Sequence, residues 1–454
     1  MSARVVPPPL PRGYWNPRTE LMPRKELESL QLRRLQHMVA WAYARSPFWR
    51  RRLDAAKVVP DAIHGLDDIQ RLPFLTKAEL IAEQTAHPPY GELLTAPASV
   101  GVAYHHTSGT TGKTPFRVVE SARDWSWGAN AWARALYAFG LRSTDVVYLP
   151  FGYGPFIGFW GAHYAIQRIG ATTVAGGAQP SEARIRQIID VGATAIVATP
   201  SYAIRLGQIA AELGIDLASE TKVVMTLHAG EPGPGIPATR TLIEGIWGAH
   251  AGDFLGMTET AGITAYECSE KRSGLHISED YFLEEVLDPL TNEPVAMGEV
   301  GERVCTAFGI GLIPILRYRT GDLVRRIPGR ECPCGRTFDV YQGGVVGRAD
   351  DMRVIRGTNV YPSAIEGVVR CYPEIREFRI VLTKVQNLDE ITIEVEATAG
   401  VAMEVAERLV PRLTKDLADA HEGLRFGVTL VPEGTLPIFE LKARRLQDLR
   451  GDQA

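Results

Sequence analysis

An α/β fold is expected, with a large N-terminal domain of mainly parallel strands flanked by helices and a small α+β domain behind it. Three observations support this. Between residues 129 and 228, short apolar stretches of strand length alternate with helical patterns, the signature of crossover units that lay parallel strands side by side with both faces covered. The 454 residues are 45% hydrophobic and 22% charged, which is enough apolar mass for more than one core. From Met352 onward, strand and helix patterns follow one another as in a small α+β unit.

In chain order, the first 23 residues, with Pro7, Pro8, Pro9 and Pro11 and little periodicity, predict an extended arm. Leu27, Leu30, Leu35, Met38, Val39, Ala42 and Tyr43 recur mostly at three- and four-residue steps, which predicts a helix interrupted at Ser46-Pro47. After Leu72-Pro73-Phe74-Leu75, Thr76 caps a further helix, with Glu79 at the third position of a capping box. Lys77 reads there as a solvated surface charge without a role.

Residues 107–113 follow, where Thr107, Ser108, Gly109, Thr110, Thr111, Gly112 and Lys113 form a run of hydroxyls and glycines ending on a cation. Backbone and side-chain donors of such a run can converge on phosphate oxygens, although ordinary turns select the same residues. It is not the P-loop of NTPases, since Thr107 stands where that motif needs glycine. Helices are then expected over 129–139, 158–169, 182–189 and 202–212, and strands over 145–151, 171–174, 195–198 and 223–228. Ligands in such folds sit beyond the carboxyl ends of the strands. One strand end is followed by Tyr153, Phe156, Phe159 and Trp160 spaced by glycines, either a flat apolar pocket or core aromatics at helical spacing. In the tail, strands are expected over 353–355, 378–383 and 391–397, and helices over 363–371 and 404–420.

Composition excludes some functions. Forty-nine basic against 53 acidic residues leave a net charge of −4, so nucleic acid is not an expected partner. The N-terminus lacks a signal-like apolar core and no apolar run is long enough to span a bilayer, which places the chain in the cytoplasm. Five cysteines do not make a disulfide framework. Cys332 and Cys334, one residue apart, with Cys268 and His276 upstream, would suit tetrahedral structural zinc, or else are four unconnected residues. Cys305 and Cys371 read as ordinary buried thiols.

Taken in order, residues 107–113, Asp253-Phe254-Leu255-Gly256-Met257-Thr258-Glu259, Arg317-Tyr318-Arg319-Thr320-Gly321-Asp322, Gly347-Arg348-Ala349-Asp350 and Glu440-Leu441-Lys442 resemble the adenylate-forming superfamily of acyl-CoA synthetases. Leu72 to Lys77, the Arg317 motif, and Asp350-Asp351-Met352 running into Arg356 to Pro362 are most similar to its phenylacetate–CoA ligase branch. The similarity covers nearly the whole chain after the arm. It implies an ATP- and Mg²⁺-dependent enzyme that activates an aromatic carboxylic acid as its adenylate and transfers the acyl group to CoA.

The same resemblance implies roles. Residues 107–113 would close over the β- and γ-phosphates. Gly230, Glu231 and Pro232, with Asp253, Phe254 and Gly256, would line the adenine and the acyl substrate beside Tyr153 and Phe156. Glu259, next to Thr258, would hold Mg²⁺. Asp322 would accept both ribose hydroxyls, Arg348 would reach the nucleotide, and Lys442 would bridge the carboxylate and the α-phosphate. The division would fall between residues 1–349 and 350–454, the latter a mobile lid turning at Asp350. Some members of the branch carry cysteines in the arrangement of the zinc candidates.

Singly, Glu259, Asp322 and Lys442 also read as a cap, an ion-pair member and a solvated charge. Residues 307–312 and Thr114-Pro115 depart from the branch's usual wording, which leaves the acceptor open between CoA, a carrier-protein thiol and an amine. A non-catalytic nucleotide- or zinc-binding module is the rival of another class; joint retention of Glu259, Asp322 and Lys442 argues against it. Oligomeric state is not legible, so a homodimer stays open.

Overall fold

The computed structural model describes residues 7–107, 114–270, 274–349, 351–356, 358–386, 388–398, 400–401, 403–439 and 442–450. Ser108, Gly109, Thr110, Thr111, Gly112, Lys113 and Asp350 therefore lie outside the described residues.

The arm leads through α1 (Pro17–Glu20) into α2 (Arg24–Arg45) and α3 (Pro47–Ala55). Ser46 makes the expected break: its hydroxyl accepts from the Trp49 amide at 3.4 Å and Pro47 opens the next helix, where a missing N–H costs nothing. At α4 (Lys77–Ala86) the expected capping box is present, with Thr76 and Glu79 exchanging backbone-to-side-chain bonds of 2.8 and 3.3 Å. A separate antiparallel hairpin follows, β1 (Gly101–His106) and β2 (Arg117–Ser121). Helix α5 (Ala122–Phe139) begins well before residue 129, because Ser121 and Asp124 form a second capping box ahead of the apolar periodicity.

The crossover region then reads β3 (Val146–Leu149), α6 (Ile157–Ile169), β4 (Thr172–Ala175), α7 (Ser181–Asp190), β5 (Ala195–Ala198), α8 (Pro200–Glu212), α9 (Leu217–Glu220), β6 (Met225–His228), α10 (Pro237–Trp247) and β7 (His250–Met257). These five strands are parallel in the order β4-β3-β5-β6-β7. The expected parallel sheet is thus present, and it continues into an antiparallel half. β8 (Gly262–Tyr266), β9 (Gly274–Ile277), β10 (Phe282–Leu287), β11 (Val300–Ala307), β12 (Tyr318–Ile327) and β13 (Val340–Arg348) extend it in the order β7-β8-β9-β13-β12-β11-β10, eleven strands in all.

After Arg348 the chain builds a unit with its own core. β14 (Arg353–Ile355) pairs with β15 (Thr358–Val360); α11 (Pro362–Val369), β16 (Ile375–Val385), β17 (Leu388–Ala397), α12 (Met403–Ala420), β18 (Gly427–Val431) and β19 (Leu446–Asp448) complete it. Its four-stranded sheet, β18-β17-β16-β19, buries Phe378, Ile380, Ile393 and Val395 against Leu409, Leu413 and Leu417. Among the described residues no helix is long and apolar enough to cross a membrane.

Candidate active site

The carboxyl ends of β3, β6 and β7 carry the loops that the sequence singles out, where an open α/β sheet leaves its ligand crevice. Glu259, in the turn after β7 and 7% exposed, accepts from the Tyr318 hydroxyl at 3.2 Å and lies 3.3 Å from Lys77 Nζ. Thr258 precedes it, its carbonyl closing the turn onto the Ala261 amide at 3.2 Å. The expectation of a solvated, roleless Lys77 is corrected here. Leu75 runs parallel to β12, its amide donating to the Arg317 carbonyl (3.0 Å) and its carbonyl accepting from Arg319 (2.8 Å), and this bridge aims the start of α4 at Glu259.

Asp322 and Arg348 face each other across β12 and β13, with Nη1 donating to Oδ1 at 2.9 Å. Behind Asp322, Arg303 Nη1 stands 3.7 Å from Oδ2, itself held by buried Glu284. The nucleotide candidates of the two strands therefore form one charged surface.

Lys442 reaches this surface from the far end of the chain. Gly230 follows β6 at φ 99°, a conformation that disfavours a side chain, and a Cβ there would lie 3.1 Å from Lys442 Cε. Lys442 stays exposed along the cleft. Desolvation between the walls lowers its ammonium below the usual lysine value; Glu231 and Glu259 act against this, while Lys77 and Arg348 add to it. All five groups therefore share one electrostatic field. Glu231 is not turned to a nucleotide: Oε1 accepts from the Ser201 amide (2.8 Å) and Oε2 from the Ala443 amide (2.7 Å). Its side chain therefore bridges two parts of the chain.

The loop after β3 forms a half-buried aromatic wall. The Tyr153 hydroxyl shares a 2.7 Å hydrogen bond with His163 Nδ1, and its ring tilts onto Trp160, whose Nε1 donates to the Gly154 carbonyl at 2.9 Å. Phe156 meets His106 and Phe159 edge-on, whereas Phe151 and Phe159 stack towards the core, so each sequence reading holds for part of the cluster. Thr107 closes the hairpin beside this wall, its hydroxyl accepting from the Phe116 amide at 3.0 Å, and the His106 amide donates to Pro155.

Two further expectations are corrected, at Phe254 and Gly256. Phe254 packs its ring against Phe139 in the core and cannot line the pocket. Gly256 is required by a neighbouring strand rather than a ligand, since a Cβ would lie 2.9 Å from the Gly262 carbonyl oxygen. Asp253 is partly enclosed, with Oδ2 beside Gly235 and Gly344; burial pushes its carboxyl up to about 6, against the pull of Arg240. Alternation along β7 puts the neighbouring side chains of Asp253 and Phe254 on opposite faces.

Cys268, His276, Cys332 and Cys334 converge in the interior, their ligand atoms all within 4.8 Å of one another. Sγ of Cys268 and Cys332 are 3.6 Å apart, and Cys334 Sγ is 3.3 Å from His276 Nε2. A tetrahedron with Zn–S of about 2.3 Å and Zn–N of about 2.0 Å separates its corners by roughly 3.5–3.8 Å, so the donor set fits zinc. The Phe338 carbonyl, 3.1 Å from His276 Nδ1, leaves Nε2 facing the thiols, as an outer hydrogen bond does for a ligating histidine. Tyr14 of the arm donates to the Cys334 carbonyl (2.6 Å) and Arg336 pairs with buried Glu20 (2.7 Å). Cys305 is buried as expected, but Cys371 is exposed.

Comparison with known proteins matches residues 29–308 to the AMP-binding enzyme family and residues 357–450 to the AMP-binding enzyme C-terminal domain. The chain belongs to the AMP-binding enzyme family. It is similar to the phenylacetate–coenzyme A ligase of Thermus thermophilus, 35% identical over 96% of this chain and 99% of that protein. The Escherichia coli phenylacetate–coenzyme A ligase is 33% identical over 94% of this chain and 95% of that one. Among solved structures, 2-hydroxyisobutyryl-CoA ligase in its postadenylation state superposes with a TM-score of 0.91 at 30% identity, over 99% of this chain and 95% of that one.

This AMP-binding enzyme is an adenylate-forming ligase of the phenylacetate–CoA ligase branch. The same 2-hydroxyisobutyryl-CoA ligase in its thioesterification state superposes with a TM-score of only 0.73 over the same shares of the two chains, at 31% identity. The C-terminal unit of the present enzyme thus sits as in the postadenylation arrangement, in keeping with Lys442 in the cleft. The fold brings Gly230, Thr258, Glu259, Arg348, Asp322 and Lys442 to one side of the sheet. Lys77 was missed; the capping box announced the start of its helix, but nothing local says what that start faces.

Proposed function

We propose that the cleft binds ATP and a carboxylic acid, and that the carboxylate attacks the α-phosphorus to give acyl-adenylate and pyrophosphate. The thiol of CoA then attacks the acyl carbon, expelling AMP. The convergence of Lys442 on the Glu259–Lys77 pair and on Arg348 carries this reading, since it gathers cations where two anions must meet. No protein nucleophile is needed. Lys442 draws carboxylate and α-phosphate together, Asp322 receives the ribose hydroxyls, Arg348 and Lys77 face the phosphates, and residues 107–113 cover them.

Glu259 offers the oxygen donor that Mg²⁺ favours, and a Mg²⁺ bound there supplies neutralisation of phosphate charge. The Cys268, His276, Cys332 and Cys334 cluster holds structural zinc. Residues 1–349 and 350–454 form the two domains, with the hinge at Asp350, and the enzyme works in the cytoplasm.

The aromatic wall of Tyr153 and Phe156 and the phenylacetate ligases among the relatives support an aromatic acid. The likeness to 2-hydroxyisobutyryl-CoA ligase favours a second reading, a small hydroxy acid. Pyrophosphate release measured over phenylacetate, benzoate and 2-hydroxyisobutyrate, with and without CoA, separates them. Release without thioester would move the acceptor to a carrier protein or an amine, and no release with any acid would refute the reading.

Two smaller effects follow. Asp322→Ala is expected to raise the KM for ATP on the order of 30-fold, the equivalent of about 2 kcal/mol of charge-assisted hydrogen bonding; an unchanged KM would remove Asp322 from the ribose. Lys77→Met should cost roughly tenfold in kcat/KM for ATP, about 1.4 kcal/mol, checked by initial rates at saturating acid.

A further inference from the structure

We propose that Glu231 is a positioning residue that latches the Lys442 segment to the large domain only while the adenylate is being made. The inference rests on the acid-activating function above and deepens it. Its two carboxylate oxygens are divided between the domains. Oε1 accepts from the Ser201 amide at 2.8 Å, in the first turn of α8, and Oε2 from the Ala443 amide at 2.7 Å, one residue past Lys442. An anion at a helix N-terminus is favoured by the unpaired amides there, so the large-domain half of the bridge is built in.

A second strut meets the same place. Arg445, fixed within the C-terminal domain by Glu377 (2.7 Å) and Glu366 (3.2 Å), extends Nη2 to Ser201 Oγ at 3.3 Å. Farther along α8, Gln208 Nε2 donates to the Arg376 carbonyl at 3.4 Å, and Glu212 lies 3.6 Å from the Arg376 guanidinium. The first turn of α8 is thus where the segment of residues 442–445 docks, and the later turns hold Arg376 of the same domain. Gly230, without a side chain, leaves room for the lysine stem beside the latch.

The Ala443 bond exists in this arrangement and is lost when the C-terminal domain turns away. A group that binds one orientation and not the other shifts the population between them by that difference alone. Glu231 therefore assists the first half-reaction and plays no part in the second, and it does so without touching nucleotide.

The test uses full-length enzyme. Glu231→Gln keeps the size but places an amide nitrogen against a backbone N–H. It is expected to lower acid-dependent pyrophosphate release about 10- to 100-fold, with the KM for ATP and thioester formation from supplied acyl-adenylate and CoA within about twofold of wild type. Ser201→Ala, which removes the hydroxyl shared by Arg445 and Glu231 but keeps the backbone amide bonded to Glu231, should give a smaller split of the same sign. Hydrogen exchange at the Ala443 amide should accelerate in Glu231→Gln. Equal losses in both half-reactions would make Glu231 merely structural, a raised KM for ATP alone would make it a nucleotide ligand, and no change would end the proposal. Wild-type enzyme inactive with every acid would refute the function itself, whereas unaltered exchange at Ala443 in an active variant would refute the latch alone.

Discussion

Lys442→Ala is expected to slow adenylate formation on the order of 10²- to 10³-fold while thioester formation from supplied acyl-adenylate stays within a few-fold of wild type. The geometry dictates the asymmetry. Lys442 reaches the cleft on the docked segment of residues 442–445, where Glu231 bonds to Ala443 and Arg445 to Ser201. Its ammonium feels the negative charges of Glu231 and Glu259 and the positive charges of Lys77 and Arg348, and the arriving carboxylate and phosphate add to the former. Removing it leaves two anions to approach with less compensation, in a cleft where water screens poorly. Once the adenylate exists, that repulsion is gone, so the thiol step is spared. Parallel measurement of the two half-reactions checks this, and equal losses in both would contradict the assignment.

The second large effect concerns the buried cysteines. Metal analysis of purified enzyme is expected to find about one zinc per chain, and Cys334→Ser is expected to destabilise the fold by at least about 4 kcal/mol, the range reached when a structural metal is lost. Three thiols and an imidazole are buried with their ligand atoms within 4.8 Å of one another, the spacing of a closed tetrahedral set. The cost should spread to the N-terminal arm, because Tyr14 bonds to the Cys334 carbonyl and Glu20 to Arg336. Chelation should therefore lower the thermal midpoint and open the first 23 residues to protease. Markedly less than one zinc in carefully prepared material, or a Cys334→Ser variant as stable as wild type, would exclude the site.

The parallel half of the fold was legible because its information is local. Each strand from Val146 to His228 is a short apolar run between helical patterns, and the structure places the four expected strands within a few residues of their anticipated ends. The antiparallel half was not legible. β9 pairs with β13 through His276 and Val340, a partner set by a contact far along the chain, and the turn that folds β8 back onto β7 passes through Ala261 at positive φ, which periodicity does not announce. The candidate site shows the same division. Glu259, Asp322, Arg348 and Lys442 could be singled out by motif, but Lys77 looked like any surface lysine, and Glu231 looked like a nucleotide ligand until its two amide partners were seen.

The sequence by itself determined the α/β class, the helix starts at Thr76 and Ser46, the ligase family through its ordered motifs, and a cysteine–histidine set suited to a metal. Capping, strand periodicity and turn chemistry act over a few residues, so they can be read along the chain. Only the tertiary structure decided that Lys77 faces Glu259, that Asp322 and Arg348 form one surface, that Phe254 belongs to the core, and that Glu231 ties Ala443 to Ser201. The direction of a side chain and the partner of a charge are fixed by neighbours brought together in folding, and for these residues the neighbours lie on other elements of the chain.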